Sequence, residues 1–145
     1  MKIIDLNLLL YAVNADGPRH DRAHAWLEDL LSSDELIGFP WSVLLGFLRI
    51  STNPRVFPQA LRPDEAIGII DSWLSLPNTR IATPGEGHWP ILRRFLLDTG
   101  MAANLTTDAH LAAIAIETSS ELLSTDADFA RFPHLRWSNP LSVPG

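Results

Sequence analysis

Short apolar runs, too brief to be helices, alternate along this chain with stretches of helical spacing, and this alternation restricts the fold more than any other feature. Ile3 to Leu6, Leu36 to Phe39, Arg80 to Ala82, Leu122-Leu123 and Leu135 to Trp137 read as strands. Between them, Leu8 to Val13 opens a helix, and Ala23, Trp26, Leu27 and Leu30 keep helical spacing from Asp21 onward. Pro40 suits a helix start ahead of Trp41, Leu44, Leu45 and Leu48. Pro63-Asp64-Glu65 places a proline and two acids in a first helical turn, with Ala66, Ile67, Ile70 and Leu74 behind them. Gly85 to Gly100 and Ala103 to Thr118 supply two further helices, and Ser51 to Pro63, with three prolines, is a loop. Strands joined through helices pair in parallel. The expected fold is therefore α/β, a mostly parallel sheet of about four to five short strands flanked by helices. With no repeat, low-complexity tract or linker, residues 1–145 are expected to form one domain.

Composition excludes several classes. Hydrophobic residues make up 46% of the chain and there are five tryptophans, which fits a packed globule and not a disordered segment. No apolar stretch approaches the roughly 20 residues of a membrane span, so no membrane association is expected. Met1-Lys2-Ile3-Ile4-Asp5 carries an acid too early for a signal-peptide core, and a cytoplasmic location is the simple expectation. The lack of cysteine removes disulfides, zinc-thiolate sites and cysteine nucleophiles. A net charge of −6 argues against non-specific duplex binding through a broad basic face, yet it allows a local basic strip around an acidic centre. Ten of the 11 basic residues are arginine, which suits bidentate phosphate contacts, although a GC-rich genome explains the bias more simply.

The acids at the edges of apolar runs carry the functional argument. Asp5 ends the run Met1 to Ile4, Asp108 opens the helical run to Ile116, and Asp126 follows Glu121 to Thr125, with Asp128 beside it. Half-buried carboxylates are costly unless a cation or hydrogen-bond donors compensate them. Ligands of open α/β sheets bind outside the carboxyl ends of the strands, where Asp5 and Asp126 fall. In Asp5-Leu6-Asn7, period two in a strand points residues 5 and 7 to one side, so a carboxylate and an amide can face the same cleft. Asp108, just inside a helix with Thr106 or Thr107 as its expected cap, is explicable as a favourable first-turn acid. It shares a face with Leu111, Ala112 and Ala115, however, whereas a capping acid more often looks outward. For Asp126 and Asp128 the competing explanation is a turn, since Ser-Thr-Asp-Ala-Asp is good turn composition. Two carboxylates about 4 Å apart repel by roughly 4 kcal/mol at an effective dielectric of 20. Mg²⁺ or Mn²⁺ removes that cost through oxygen ligands and can activate water against a phosphodiester.

Four motifs in order carry a resemblance. They are Ile4-Asp-Leu-Asn-Leu-Leu-Leu-Tyr-Ala12, Phe47-Leu-Arg-Ile-Ser-Thr-Asn-Pro-Arg-Val-Phe57, Leu105-Thr-Thr-Asp-Ala-His-Leu-Ala112 and Ser124-Thr-Asp-Ala-Asp-Phe-Ala-Arg-Phe132. Together with the tail Leu135 to Leu141 they resemble PIN domains, above all the VapC toxins of bacterial VapBC toxin–antitoxin pairs. The resemblance runs over nearly the whole chain. It implies a Mg²⁺-dependent endoribonuclease acting on structured RNA, usually tRNA or rRNA, with Mn²⁺ as an alternative ion. It also implies a homodimer held inactive by a VapB antitoxin encoded alongside. By position, Asp5, Asp108 and Asp126 match the metal-binding, catalytic aspartates, with Asp128 as an auxiliary ligand. Asn7 resembles the polar residue that steadies the first aspartate, and Arg49 is placed as a phosphate contact.

The chain departs from this pattern at Gly46, where many PIN domains carry a glutamate. On a helix Ser42, Gly46, Arg49 and Asn53 share a face, so the gap is expected at the site. Close packing against another backbone explains the glycine on one reading; a metal centre with one carboxylate fewer, hence weaker metal binding, explains it on the other. The second reading leaves open a catalytically weakened PIN domain that binds RNA or an antitoxin without cutting. Phosphoaspartyl chemistry fits poorly, because the only lysine is Lys2 and a haloacid-type phosphatase requires Asp-x-Asp where this chain has Asp5-Leu-Asn7. His20 and His24, four apart without a zincin glutamate, read as surface residues, and His110 as structural or exposed. Trp26, Trp41, Trp73 and Trp89 fit helical apolar faces and are expected in the core or at an interface.

Overall fold

In a computed structural model of the chain, residues 1–100 and 102–142 are described. The expected domain of 1–145 therefore includes residues 101 and 143–145, which lie outside them. The chain runs β1 (Lys2–Ile4), α1 (Leu6–Val13), α2 (His20–Leu31), β2 (Ile37–Pro40), α3 (Trp41–Ser51), α4 (Pro63–Leu74), β3 (Thr79–Ala82), α5 (His88–Thr99), α6 (Leu105–Glu117), β4 (Glu121–Leu123) and β5 (Trp137–Ser138). A short 3-10 helix, Ala127–Arg131, lies between the last two strands. The five strands form one sheet in the order β3-β2-β1-β4-β5, and every pairing is parallel. The expected α/β architecture is the one observed.

β1 is central, with Ile3 and Ile4 fully buried, and it pairs β2 on one side and β4 on the other. Ile4 lies opposite Leu123, so the carboxyl ends of β1 and β4 emerge at one level. The Asp5 N–H donates to the Leu123 carbonyl at 2.9 Å and extends that ladder by one bond. This register brings residues 5 and 124 side by side across a gap of over a hundred residues in sequence.

Helix boundaries respond to local chemistry. α4 begins at Pro63 with Asp64 and Glu65 in its first turn, and the Glu65 carboxylate accepts the Arg62 N–H at 3.0 Å. α5 stops at Gly100, whose φ of 66° is a left-handed conformation that glycine adopts without penalty. α6 is apolar nearly all round, with Ala109 and Leu111 to Ala115 buried, as befits a helix packed on several sides.

Two expectations need correction, and for Trp41 and Trp89 the core alternative gives way to the surface. β1 ends at Ile4, not Leu6, because the Asp5 carboxylate accepts the Leu6 N–H at 2.7 Å and so caps α1. α6 starts at Leu105 after Asn104, so Thr106 and Thr107 lie inside its first turn and do not cap it. In α3 the buried residues are Val43, Leu44, Gly46, Phe47 and Ser51, whereas Trp41 and Leu45 are exposed. Trp73 is the tryptophan that enters the core. It stacks on Phe39 with ring centroids 5.6 Å apart and meets the edge of Phe47 at 5.0 Å. Trp89, 63% exposed, lies on the surface instead. Replacing Trp73 by alanine should cost about 3–5 kcal/mol in urea unfolding, while Trp89→Ala should stay within about 0.5 kcal/mol of wild type. Equal losses would contradict this account of the core.

Candidate active site

Beyond the carboxyl ends of β1 and β4 lies a cleft of about 160 Å³, lined by Asp5, Leu6, Asn7, Ser42, Val43, Thr107, Asp108, Leu111 and Asp126. Three separate elements thus bring three carboxylates to one place. Asp5 arrives from the β1–α1 junction, Asp108 from the first turns of α6, and Asp126 from the turn after β4. A larger cavity of about 500 Å³ between α5 and Pro133-His134 is mainly apolar and contains none of the predicted residues.

Asp5 is held from two sides. Its Oδ1 accepts the Leu6 N–H, and its Oδ2 accepts the Ser124 hydroxyl at 2.6 Å. Ser124 is fully buried, and its Oγ also accepts the Asp126 N–H at 3.0 Å. The Ser124 carbonyl in turn accepts the Trp137 indole N–H at 3.1 Å. One hydroxyl therefore orients two of the acids. Sequence reasoning passed over Ser124 and Trp137. The available signal was a serine closing the buried run Leu122-Leu123, immediately before the Asp126 turn.

Electrostatics mark the cleft as a site for positive charge. Burial pushes the Asp5 carboxyl up, against the hydrogen bonds from Ser124 and Leu6, and the Asp126 charge adds to the rise. Asp108 is pushed up to about 6, first by burial and then by the charges of Asp126, Asp5 and Asp128. No hydrogen-bond donor among the described residues compensates the Asp108 carboxylate. Burial and acidic neighbours thus make Asp5 and Asp108 harder to ionise, which is the condition a bound cation relieves.

The predicted residues are distributed unevenly around this cleft. Asn7 lines it, but from the first turn of α1, so its pairing with Asp5 comes from a helix start and not from strand alternation. Asp126 caps the 3-10 helix by accepting the Asp128 N–H at 2.9 Å. Asp128 itself is exposed, pairs with Arg131 at 3.5 Å and lies outside the lining. Arg49 is exposed in the last turn of α3 and does not line the cleft. Ser42 does, whereas Gly46, one turn later, is buried under Leu6. A Cβ at Gly46 would meet Leu6 Cδ2 at 2.6 Å, so the glycine makes room for a neighbouring side chain. The close-packing explanation thus has a named partner, a side chain and not a backbone. His110 is neither exposed nor isolated: its Nδ1 lies 2.8 Å from His88 Nε2, and His88 Nδ1 lies 3.3 Å from Glu117. These three residues pin the start of α5 to α6, away from the acids.

The donor set fits a hard cation. The acidic ligands are all oxygen, and no imidazole lines the cleft. Among the described residues no three acidic or imidazole groups converge into a ready-made metal cage. An ion that keeps several of its waters suits such an arrangement better than one that needs a full protein shell.

Two measurements test this geometry. In EDTA, a carboxyl raised in the folded state stabilises the protein below its unfolded value and loses that contribution as pH rises through its folded value. Wild type should therefore lose stability relative to Asp108→Asn between about pH 4 and pH 6, read from urea midpoints. A constant difference over that window would show that Asp108 is not strained. Ser124→Ala should cost about 1–3 kcal/mol, and combining it with Asp5→Asn should cost less than the sum, because both remove the same bond.

Comparison with known proteins agrees with the motifs. The PIN domain family model matches residues 2–135. Ribonuclease VapC33 of Mycobacterium tuberculosis is 46% identical over 141 residues, 97% of this chain and 99% of that protein. Ribonuclease VapC37 of the same organism is 42% identical over 140 residues, 97% of each. Among solved structures, the Rickettsia felis VapBC2 complex with a promoter DNA fragment superposes with a TM-score of 0.68 at 20% identity, covering 95% of this chain and 97% of that one. Mycobacterium tuberculosis VapC20, a sarcin-ricin loop cleaving toxin, gives 0.67 at 16% identity, covering 94% and 99%. The chain belongs to the PIN domain family, in its VapC branch.

Proposed function

We propose that this chain is the toxin of a type II toxin–antitoxin pair, a cytoplasmic, metal-dependent endoribonuclease that cuts structured RNA such as tRNA or rRNA. The observation that carries the reading is the meeting of Asp5, Asp108 and Asp126 in one cleft from three distant segments. Relatives 42–46% identical over 97% of the chain bear the name ribonuclease, which supports the same activity here.

Asp5, Asp108 and Asp126 would hold a divalent cation, Mg²⁺ or Mn²⁺, with Asp128 close enough to add its charge. When bound, such an ion polarises a phosphoryl oxygen and makes a coordinated water a stronger nucleophile. The chain's own groups do the positioning. Ser124 fixes the rotamers of Asp5 and the backbone at Asp126, and Asn7 offers an amide at the cleft wall for substrate. Burial of Asp5 and Asp108 excludes water from one side of the acids and strengthens their field.

A VapB-type antitoxin is the proposed protein partner, because structural neighbours include VapBC complexes such as that of Rickettsia felis. A homodimer is proposed as well. Trp41 and Leu45, exposed four residues apart on α3, offer apolar surface that a second copy would cover. No helix among the described residues is long and apolar enough to cross a membrane.

A second reading has an observation of its own. α3 contributes Ser42 and Val43 to the cleft and no carboxylate, so a domain that binds RNA without cutting it is the alternative. Total RNA incubated with purified protein separates the two. Cleavage should require Mg²⁺ or Mn²⁺, disappear in EDTA and fall at least about 100-fold in Asp108→Asn, a loss no smaller than that for residues that merely support metal ligands. Asp5→Asn is a better companion than Asp5→Ala, since asparagine preserves the cap of α1. RNA bound but uncut with either ion would favour the second reading.

A further inference from the structure

A second polar cavity, of about 230 Å³, adjoins the acidic cleft and differs from it in charge. It is lined by Pro18, Arg19, Arg22, Thr125, Asn139 and Leu141, with no carboxylate among them. Thr125 lines this cavity and Asp126, the next residue, lines the cleft, so the two sites share one turn of chain. In a protein of net charge −6, two guanidinium groups beside three clustered carboxylates are a strong local reversal of field.

The polar groups are matched to an oxyanion. Arg19 is anchored: its Nη1 donates to the Tyr11 hydroxyl at 3.3 Å and its guanidinium carbon lies 5.1 Å from the centre of the Tyr11 ring. Arg22 makes no ion pair or hydrogen bond with any described residue, so its five donors remain available. The Asn139 Oδ1 accepts the Leu141 N–H at 2.9 Å, which leaves the amide NH₂ as the free end. Thr125 adds a hydroxyl. Guanidinium and amide NH₂ groups can only donate, and two cations converging on one cavity repel until an anion separates them. Arg19 is also the N-cap of α2 and makes no side-chain cap bond, so the positive end of that helix lies at the same corner.

We propose that Arg19, Arg22, Thr125 and Asn139 form a subsite for a backbone phosphate of the RNA strand, neighbouring the phosphate that enters the acidic cleft. The proposal rests on the ribonuclease reading for the identity of its polyanion, and it deepens that reading. It accounts for how a strongly acidic protein retains RNA: the arginines attract the strand where the carboxylates alone would repel it. Arg49, expected as a phosphate contact from its place near the site, lines neither cavity. A phosphate is favoured over a partner's carboxylate because the cavity shares the Thr125-Asp126 turn with the cleft, so one continuous strand can occupy both.

The test measures binding without catalysis. Anisotropy of a short, fluorescein-labelled oligoribonucleotide of mixed sequence is titrated with the full-length chain in EDTA, across a range of salt. Arg22→Gln should weaken binding about tenfold and lower the salt slope by about 0.7–1, the value of one phosphate contact on a single strand. Arg22→Lys should keep most of the slope, and Arg22→Gln should leave the thermal midpoint unchanged because Arg22 holds nothing in the fold. Arg19→Gln should act in the same direction, with a small loss of stability through Tyr11. An unchanged affinity and slope in Arg22→Gln would overturn the proposal, as would a wild-type chain that binds no RNA in EDTA. Weaker retention of a co-expressed antitoxin with RNA binding intact would also overturn it, in favour of a protein carboxylate. Cleavage of total RNA by wild type with Mg²⁺ or Mn²⁺ is scored separately. Its presence alongside a negative binding result removes the subsite alone, and its absence removes the ribonuclease reading.

Discussion

The hydroxyl of Ser124 is the small group on which the acidic cleft depends. It is fully buried at the end of β4, donates to Asp5 across the β1–β4 pairing and accepts the backbone N–H of Asp126. A buried hydroxyl must find partners or cost the fold a desolvation penalty, and here its partners are two walls of the acidic cleft. The parallel register that places Ile4 opposite Leu123 makes the contact possible. Sheet pairing and site geometry are thus one constraint, and a change at Ser124 disturbs both.

The cleft holds its charges at a cost to the fold. Asp108 has no donor to ease it, and its carboxyl is raised by burial and by its acidic neighbours. A structure that gathers carboxylates in this way gives up stability to concentrate negative charge in one cleft, a pattern common at functional sites. The adjoining arginine cavity makes the same point with opposite sign. A positive and a negative pocket on either side of one turn give the surface a direction along which a charged strand can lie, although the net charge of the whole protein suggests only repulsion.

Much of the fold was legible from periodicity. Strand positions, Pro63 at the start of α4 and the glycine that ends α5 all reflect local chemistry, and local chemistry is written residue by residue. The four PIN-like motifs likewise pointed to Asp5, Asp108 and Asp126, which line one cleft. What periodicity missed depended on neighbours remote in sequence. Asp5 was read as strand because the apolar run continues into Leu6, yet its carboxylate caps a helix instead. Helical spacing groups Trp41 and Leu45 with Leu44 and Leu48 but cannot say which side of the helix meets the core, which lies on the side of Val43 and Phe47. At Gly46 the sequence leaves close packing and a missing carboxylate both open, and Leu6, which fills the space beside it, gives the packing explanation its partner.

The sequence by itself determined the element order, the α/β class, the family and the identity of the acids, because those properties depend on residue type and short-range spacing. Only the tertiary structure decided which acids meet in the cleft, that Ser124 orients two of them, that Asp128 and Arg49 lie outside its lining and that Arg19 and Arg22 form a basic cavity next door. Distances between segments a hundred residues apart are set by strand register and helix packing. No local pattern encodes them.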